Sequence, residues 1–268
     1  MQKFDKIFPT KHSVIGMIHI MALPGTPKYG GSVAKIIEKA VTEAIIYKKA
    51  GIDALMIENM HDVPYLKNNV GPEICSVMAL VAKAVKQISS LPVGIQVLAG
   101  ANSTALAIAQ AAELEFIRAE GFVFGHVADE GYIDSQAAAL LRYRKNIGAD
   151  EIAIFTDIKK KHSAHAVTAD VTISETGQAA EFFLSDGLIV TGKHTGGSAD
   201  LSEIVDVKKS VKIPVLIGSG VNIDNLETYL PISDAVIVGS YFKENSYWEN
   251  ELDEKRIVNF MEKAIQLR

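Results

Sequence analysis

Short, almost continuously apolar segments recur eight times along the 268-residue chain, and this repetition is the strongest constraint on its fold. A strand buried on both faces has this pattern, whereas a half-buried strand alternates apolar and polar residues. The pattern predicts strands at Val14–Ile20, Ala54–Glu58, Val93–Leu98, Glu115–Ala119, Glu151–Thr156, Gly187–Val190, Val215–Gly218 and Ala235–Val238. Because both faces are buried mainly in helix-covered parallel sheets, a parallel sheet is expected.

Amphipathic helical patterns separate these strands. Ser32 is suited to cap a helix that reaches about Ala50, Pro72 is suited to open the next, and the last runs from about Asp253 to Leu267. Caps for later helices are predicted at Asn102, Ser135, Asp200 and Asn222. Strands that alternate with helices in this way form parallel sheets with right-handed crossovers.

Eight strand–helix units in 268 residues fit a (β/α)₈ TIM barrel, which typically has about 250 residues. We therefore predict an α/β fold in which residues 1–268 form a single barrel domain. An open sheet that binds a dinucleotide is disfavoured, because no Gly-x-Gly-x-x-Gly follows the first strand.

Composition narrows the functional class. A net charge of −5 argues against a nucleic-acid partner, which needs a basic surface. Cys75 is the only cysteine, so no intrachain disulfide forms, and a reducing compartment is compatible. No apolar run reaches the ~18 residues of a membrane span, and residues 1–9 lack the features of a targeting peptide. A cytoplasmic protein is expected.

In a (β/α)₈ barrel the active site lies at the C-terminal ends of the strands. The residues expected there as catalytic groups are Glu58, Arg118, Glu120, Asp157 and Lys159. The carboxylates can serve as acid and base or hold Mg²⁺, and the cations can offset developing negative charge. An alternative for Arg118 and Glu120 is a salt bridge inside the barrel.

Two glycine turns after the last two strands suggest a phosphate site. Glycine lets backbone N–H groups approach an oxyanion, and a following helix N-terminus adds positive potential. Phosphate sites after strands seven and eight recur in this fold. The predicted phosphate-binding residues are Thr191, Gly192, Gly218, Ser219, Gly220, Gly239 and Ser240. The alternative is that these glycines only make tight turns.

The segment from Lys159 to Ser174 is too long for an ordinary strand-to-helix connection and is expected to belong to the active site. Its His162 can join Glu58 and Asp157 as a metal ligand, although histidines in loops are common without any metal.

The other histidines and lysines have simpler interpretations. His19 is expected to be a hydrogen-bonded core histidine, and His194 to lie at the rim. The run from Lys159 to Lys161 has a solvated loop as its alternative. Neither Lys159 nor Lys193 has the apolar setting of a Schiff-base lysine, so an aldolase mechanism is disfavoured.

Several motifs together resemble the BtpA family over nearly the whole chain. They are Gly16-Met17-Ile18-His19 with Leu23-Pro24-Gly25, Ile57-Glu58-Asn59 with His61-Asp62, Phe116 to Glu120, Thr156-Asp157-Ile158 with Lys161-His162, and the late glycine turns. The resemblance implies a TIM-like barrel of the ribulose-phosphate-binding group. The family is named for a role in photosystem I biogenesis, and it implies no particular reaction.

Three functions are compatible with these observations. The leading hypothesis is an enzyme that acts on a small phosphorylated substrate, a sugar phosphate or a nucleotide-like compound, by isomerase, lyase or hydrolase chemistry. The second is a non-catalytic assembly or regulatory factor of the BtpA type. Its candidate partner surface lies around Tyr241, Phe242, Tyr247 and Trp248, and the alternatives for these aromatics are that they pack a rim loop or form a homo-oligomer contact. The third is a nucleotide hydrolase, for which no Walker-type P-loop is present.

Overall fold

Eight parallel strands close into a barrel, in a computed structural model that describes residues 3–192 and 197–268. The barrel strands are β1 (Ser13–His19), β2 (Ala54–Glu58), β3 (Val93–Gln96), β4 (Phe116–Ala119), β7 (Ala153–Ile158), β9 (Gly187–Thr191), β10 (Val215–Gly218) and β11 (Ala235–Val238). They follow one another around the barrel in chain order, and β11 pairs with β1 to close it. The predicted (β/α)₈ fold is confirmed.

One short helix lies at an end of this barrel and the others cover its outside. They are α1 (Lys3–Ile7), at the end, and α2 (Val33–Lys49), α3 (Pro72–Ser89), α4 (Asn102–Ala112), α5 (Ala137–Asn146), α6 (Ile173–Phe182), α7 (Leu201–Ser210), α8 (Leu226–Tyr229) and α9 (Glu254–Gln266). Ser32, Asp200 and Asp253 each accept a backbone N–H of the first helical turn, as a capping side chain does. Among the described residues, no helix is long and apolar enough to cross a membrane.

Three of the predicted caps are wrong. The structure places Asn102 inside α4, where its side chain bonds the backbone of Glu120 instead. The helices expected to begin at Ser135 and Asn222 are capped one and three residues later, at Gln136 and Asn225. Asn and Ser side chains bond nearby backbone in turns as readily as at helix starts, so the sequence does not separate the two roles.

Side chains along each barrel strand alternate between two apolar regions. One set, which includes Ile18 and Ile57, packs outward beneath the helices. The other set, which includes Met17, Met56 and Phe155, fills the barrel interior. This period of two continues to the C-terminal ends of the strands. The last inward-facing positions there are His19, Glu58, Gln96, Arg118, Asp157, Thr191, Gly218 and Gly239. The fold therefore gathers polar residues from separate strands into one layer above the apolar interior.

The opposite end of the barrel is closed by the short helix α1, which the sequence patterns did not predict. Phe4 and Phe8 lie 4.7 Å apart between ring centroids. Phe8 also lies 5.5 Å from the interior ring of Phe116. These contacts bury the lower end of the interior, so the C-terminal mouth is the end at which polar groups collect.

A small antiparallel sheet lies at that mouth and was also not predicted. It consists of β5 (His126–Ala128), β6 (Gly131–Ile133) and β8 (Ser163–Ala164), in the order β6-β5-β8. The hairpin of β5 and β6 follows β4, whereas β8 follows β7. The long segment after β7, expected to be an active-site loop, is therefore tied to a second loop by strand pairing.

Candidate active site at the barrel mouth

The mouth holds two adjoining cavities that share Glu58, Met60, Arg118 and Lys161. We call the cavity beside β10 and β11 the glycine lobe. It has a volume of about 140 Å³, and its other lining residues are Met17, His19, Ser219, Gly220, Val221, Asn222, Ile237, Gly239, Ser240, Tyr241 and Ser246. We call the second cavity the acidic lobe. It has a volume of about 200 Å³, and its other lining residues are Tyr65, Gln96, Leu98, Ala99, Glu120, Asp129, Glu130, Lys160 and His162.

Arg118 is fixed by Asp157 from the neighbouring strand. Its Nε donates to Asp157 Oδ2 at 2.9 Å and its Nη2 to Oδ1 at 2.8 Å. Both side chains are buried, so the pair is shielded from water and ions. Asp157 raises the pKa of Arg118 above its ordinary value, although burial acts in the other direction. The guanidinium therefore stays charged at the boundary between the lobes.

Glu120 belongs to a separate network. Its Oε2 accepts from Lys160 Nζ at 3.0 Å, and its Oε1 accepts from Gln96 Nε2 at 3.0 Å. The alternative of an Arg118–Glu120 salt bridge is wrong, since Arg118 pairs with Asp157 and Glu120 with Lys160. Burial lowers the pKa of Lys160, but the Glu120 carboxylate more than offsets this and leaves the pKa raised.

Glu58 is a buried carboxyl group in contact with both lobes. Burial raises its pKa above the ordinary value, and Arg118 and Lys161 only partly oppose this. Its Oε2 lies 3.6 Å from Nε2 of His19. Burial, and then the charge of Lys243, lower the pKa of His19 to about 3. The histidine is therefore neutral at physiological pH, and its contact with Glu58 is not an ion pair.

The lysine run after β7 is not a solvated loop. Lys160 is buried, Lys161 is half-buried, and Lys159 Nζ donates to the carbonyl of Thr168 at 2.9 Å. Lys159 lies outside both lobes, whereas Lys161 lines both. Burial, and then the charge of Arg118, lower the pKa of Lys161 below its ordinary value. Three adjacent lysines give no sequence signal for which one faces the cavity.

The glycine turns converge on one cavity, and each glycine also has a local steric reason. Gly220 has a φ of +68°, and a Cβ there would lie 2.4 Å from the carbonyl carbon of Gly197. A Cβ at Gly239 would lie 3.2 Å from the ring of His19, and one at Gly218 would lie 2.9 Å from a methyl of Ile189. Tight packing and a shared cavity are thus both present at these turns.

The sequence led us to expect the positive potential of a helix N-terminus at this cavity, but the helices that follow these two turns are short. The turn after β10 leads to α8, which has four residues, and the turn after β11 leads to a 3₁₀ helix of three residues, Ser240–Phe242. Asn225 braces the first turn, because its Nδ2 donates to the carbonyl of Gly220 at 2.8 Å. Backbone amides and the side chains of Arg118 and Lys161 are therefore the available groups for an anion.

The remaining predicted phosphate residues lie beside the cavity. Thr191 is buried, and its Oγ1 accepts from the backbone N–H of Lys161 at 3.3 Å. Gly192 approaches Gly197 so closely that a Cβ would lie 2.1 Å from its carbonyl oxygen. Both residues support the wall of the glycine lobe without being among the residues that line it. Lys193 and His194 lie outside the described residues.

The predicted metal ligands Glu58, Asp157 and His162 do not converge. Within residues 3–192 and 197–268, no group of three or more His, Cys, Asp or Glu side chains is arranged to hold a metal ion. Both oxygens of Asp157 accept from Arg118, and His162 is exposed on the loop after β7. Glu58 and His162 both line the acidic lobe, but they are not joined there by a third ligand among the described residues.

Asn59, grouped with Glu58 by the sequence, has a structural role. Its Nδ2 donates to Asp62 Oδ2 at 2.8 Å, and its Oδ1 accepts from the backbone of Leu98 at 2.7 Å. Asp62 Oδ1 in turn accepts from the backbone of Leu23 at 2.8 Å. These bonds join the loops after β1, β2 and β3, and so they position Glu58 at the end of β2.

The aromatic residues after β11 do not form the predicted contiguous surface patch. Phe242 is fully buried and packs against Phe260 at 5.0 Å between ring centroids. Trp248 packs over His61 at 4.9 Å, and its carbonyl lies 3.4 Å from Nδ1 of His19. Tyr247 is the exposed member of the group. The segment therefore covers the mouth near His19 and holds that ring in place.

The fold and the mouth together define the structural class of the protein, which is a (β/α)₈ barrel whose mouth holds two adjoining cavities. Geranylgeranylglyceryl phosphate synthase from Thermoplasma acidophilum, solved with sn-glycerol-1-phosphate, superposes with a TM-score of 0.62 at 14% identity, covering 98% of this chain and 97% of that one. Orotidine 5′-monophosphate decarboxylase from Methanocaldococcus jannaschii gives 0.62 at 13% identity, over 94% and 98%. These likenesses show the shared fold.

The chain belongs to the BtpA family, whose model matches residues 10–266. A Caenorhabditis elegans protein named as mitochondrial is 49% identical over 260 residues, which cover 95% of this chain and 94% of that protein. The photosystem I biogenesis protein BtpA of Synechocystis is 34% identical over 256 residues, covering 95% and 88%. The resemblance seen in the sequence motifs is thereby confirmed.

Proposed function

We propose that this protein is an enzyme that binds a small phosphorylated substrate at the barrel mouth and transfers a proton to or from it. The observation that carries the proposal is the glycine lobe, where two glycine turns face Glu58, Arg118 and Lys161 across one cavity. The two solved barrels above, named for a phosphate ester product and a phosphate ester substrate, support a phosphorylated ligand by analogy of fold.

The phosphate group is assigned to the glycine lobe. Ser219, Gly220, Gly239 and Ser240 line one wall, and their backbone amides and two hydroxyl groups are assigned to the phosphate oxygens. Arg118 and Lys161 stand at the boundary of the lobe, and Asp157 holds the guanidinium in place. Charge-assisted hydrogen bonds from cations to phosphate oxygens are among the strongest polar contacts in proteins.

Glu58 is assigned the proton transfer. A general acid or base works best when its pKa lies near the working pH, and burial moves the pKa of Glu58 upward in that direction. Isomerase and lyase reactions both need such a group. Of the other predicted catalytic residues, Asp157 orients Arg118, Glu120 binds Lys160, and Lys159 lies outside both lobes. Lys161 takes the charge-offsetting role first expected of Lys159.

Mg²⁺ has no set of protein ligands among the described residues, so no step is assigned to it. A Mg²⁺ ion that enters with the substrate, held by phosphate oxygens and the Glu58 carboxylate, stays a prediction. It is tested by repeating each binding measurement with and without the ion. The expected homo-oligomer, the absence of a nucleic-acid partner and a cytoplasmic location also stay predictions.

Thermal shifts with inorganic phosphate, sugar phosphates and nucleotides, each beside its unphosphorylated counterpart, test the proposal. A ligand at 100 times its dissociation constant stabilises the fold by about 2.7 kcal/mol. Ser240→Asp places a negative charge in the glycine lobe and is expected to weaken phosphate binding about tenfold or more. Ser76→Asp, on an exposed position of α3, is the charge-matched control. If phosphorylated compounds give no shift in the wild type, the proposal is wrong.

The second candidate is an assembly or regulatory factor, which the name of the Synechocystis relative favours. A surface for it is present away from the mouth, because Phe182 and Leu184 are 81% and 68% exposed at the end of α6. Recovery of one stoichiometric protein partner, lost on Phe182→Ser and retained by Ser240→Asp, would support this candidate.

A further inference from the structure

We infer that the acidic lobe binds the hydroxyl-bearing part of the same phosphorylated ligand, so that the substrate is a sugar phosphate and not a nucleotide. The inference rests on the proposed function, because it takes the phosphate to be in the glycine lobe. It adds an assignment for the second cavity, which the phosphate does not explain.

Two buried oxygen atoms on the wall of the acidic lobe have no hydrogen-bond partner among the described residues. They are Oε1 of Gln96 and Oε2 of Glu130. A buried polar atom without a partner costs free energy, so folded proteins rarely leave one. Three more such atoms, on Glu43, Asn68 and His126, belong to described residues that do not line this lobe. The pair on Gln96 and Glu130 differs because both acceptors belong to residues of one cavity, where the hydroxyl groups of a ligand can donate to them.

The orientation of the Gln96 amide follows from its surroundings. Its Nε2 donates to Oε1 of Glu120 at 3.0 Å, and Gln96 is 2% exposed. The flipped amide would set its oxygen against the Glu120 carboxylate, which accepts hydrogen bonds but cannot donate them when ionised. The amide oxygen is therefore the atom left for a ligand donor.

The charges of the lobe select a neutral group over a second anion. Four carboxylates line it, namely Glu58, Glu120, Asp129 and Glu130. Three cations also line it: Lys160 is held by Glu120, Arg118 is held by Asp157, and Lys161 lies at the boundary with the glycine lobe. Carboxylates repel a second phosphate and accept hydrogen bonds from hydroxyl groups. A polyhydroxyl chain offers such donors in several directions at once.

The lining of the lobe does not suit a nucleobase. A base is usually held by stacking on aromatic side chains. Tyr65 is the one tyrosine, phenylalanine or tryptophan among the described residues that line the lobe, and its hydroxyl donates to the carbonyl of Met60 at 2.7 Å. The other walls combine the apolar side chains of Met60, Leu98 and Ala99 with amide, carboxylate and cationic groups. A sugar presents both C–H faces and hydroxyl groups, so it fits this mixed lining.

The test compares dissociation constants for inorganic phosphate, D-ribose 5-phosphate and AMP, measured by calorimetry on the full chain. The wild type is expected to bind ribose 5-phosphate at least tenfold more tightly than phosphate. Glu130→Ala and Gln96→Met should each reduce this ratio about five- to tenfold, because each removes one acceptor. Glu262→Ala, on an exposed position of α9, should leave the ratio unchanged.

The ratio also separates the two proposals. If neither phosphate nor any phosphorylated compound binds, the proposed function and this inference both fail. If phosphate binds and ribose 5-phosphate binds no more tightly, the inference is wrong and the proposed function stands. Tighter binding of AMP than of ribose 5-phosphate would also overturn it. Glu130→Ala lies in the β5–β6 hairpin outside the barrel, so it stays informative if the buried Gln96→Met fails to fold.

Discussion

The two lobes of the mouth are built from different parts of the chain. The glycine lobe has one wall shaped by backbone, because a Cβ at Gly220 would collide with Gly197 and one at Gly239 would press against the ring of His19. The acidic lobe is made of long side chains that hold one another, as Gln96, Glu120 and Lys160 do. A backbone wall fixes the position of one constant group, whereas a side-chain network can be changed one residue at a time. We therefore expect the first lobe to recognise what all substrates share and the second to distinguish among them.

The largest expected effect concerns Glu58, at the boundary of both lobes. Glu58→Gln should lower the turnover of a phosphorylated substrate by about 10²- to 10⁴-fold, the usual contribution of a general acid or base. The dissociation constant for the same compound should change only a few-fold, since the amide keeps the shape. Equal turnover in variant and wild type would remove the proton-transfer role and leave the mouth as a binding site only.

The next largest effect concerns the stability that the Arg118–Asp157 pair, at the boundary between the two lobes, gives to the fold. Asp157→Asn leaves a buried guanidinium without its counter-charge, which typically costs about 3–5 kcal/mol. Urea unfolding should show this loss. The exposed pair of Lys145 and Asp150 provides the control, because Asp150→Asn removes a surface contact that typically contributes about 0–1 kcal/mol. A loss for Asp157→Asn no larger than that of the control would contradict the structure at this pair.

A smaller effect tests the backbone wall of the glycine lobe. Gly220→Ala forces a side chain into a left-handed conformation and against Gly197, so it should destabilise the fold by about 1–2 kcal/mol and weaken phosphate binding. Gly30→Ala is the matched control, because nothing lies within 4 Å of its Cβ position. If Gly220→Ala and Gly30→Ala change the free energy of unfolding and the dissociation constant for phosphate equally, the backbone at Gly220 does not shape the glycine lobe.

The smallest effect concerns pH. Because burial raises the pKa of Glu58, the folded protein holds this proton more tightly than the unfolded chain does. The resulting stability is complete below the unfolded value of about 4.3 and is lost as pH rises through the higher folded value. Glu58→Gln should therefore melt above the wild type at neutral pH, and the gap should close towards about pH 4. Glu262→Gln is the control for the general effect of the substitution. If the difference in melting temperature between Glu58→Gln and the wild type, corrected for this control, is the same at neutral pH and at about pH 4, the pKa of Glu58 is not raised.

The barrel could be predicted from the sequence because its strands are uniformly apolar. Ala54–Glu58, Val215–Gly218 and Ala235–Val238 agree with the structure residue for residue. The strand predicted at Glu151–Thr156 lies two residues further along, at Ala153–Ile158, so Asp157 is part of a strand and not of a loop. Polar strand ends at the mouth resemble loop residues, which is why such boundaries are missed.

The position of a residue at the mouth could be predicted where that residue stands at the end of a strand, and could not where the paths of several elements decide it. Glu58, Arg118 and the glycine turns follow from strand ends in a known fold. Which of three lysines faces the cavity depends on the backbone path after β7, and Glu130 reaches the mouth through a hairpin without a strong apolar pattern. His19, predicted to be a hydrogen-bonded core histidine, is buried with its Nδ1 3.4 Å from the carbonyl of Trp248, and it lines the glycine lobe as well. Its neighbour Trp248 comes from the far end of the chain, beyond the range of local patterns.

The hairpin of β5 and β6 leaves and rejoins the barrel at one place, and its other attachment is the pairing of β5 with β8. Gln136 N–H donates to the carbonyl of Gly121 at 2.9 Å, and Ala137 N–H to that of Phe122 at 3.0 Å, so the segment leaves and rejoins the body at the same place. Segments with joined ends can be exchanged at little cost in folding. The 13 residues between these bonds, 123–135, thus form a segment that can be exchanged. Grafting the corresponding segment from a relative would redirect ligand preference while the barrel beneath keeps its architecture.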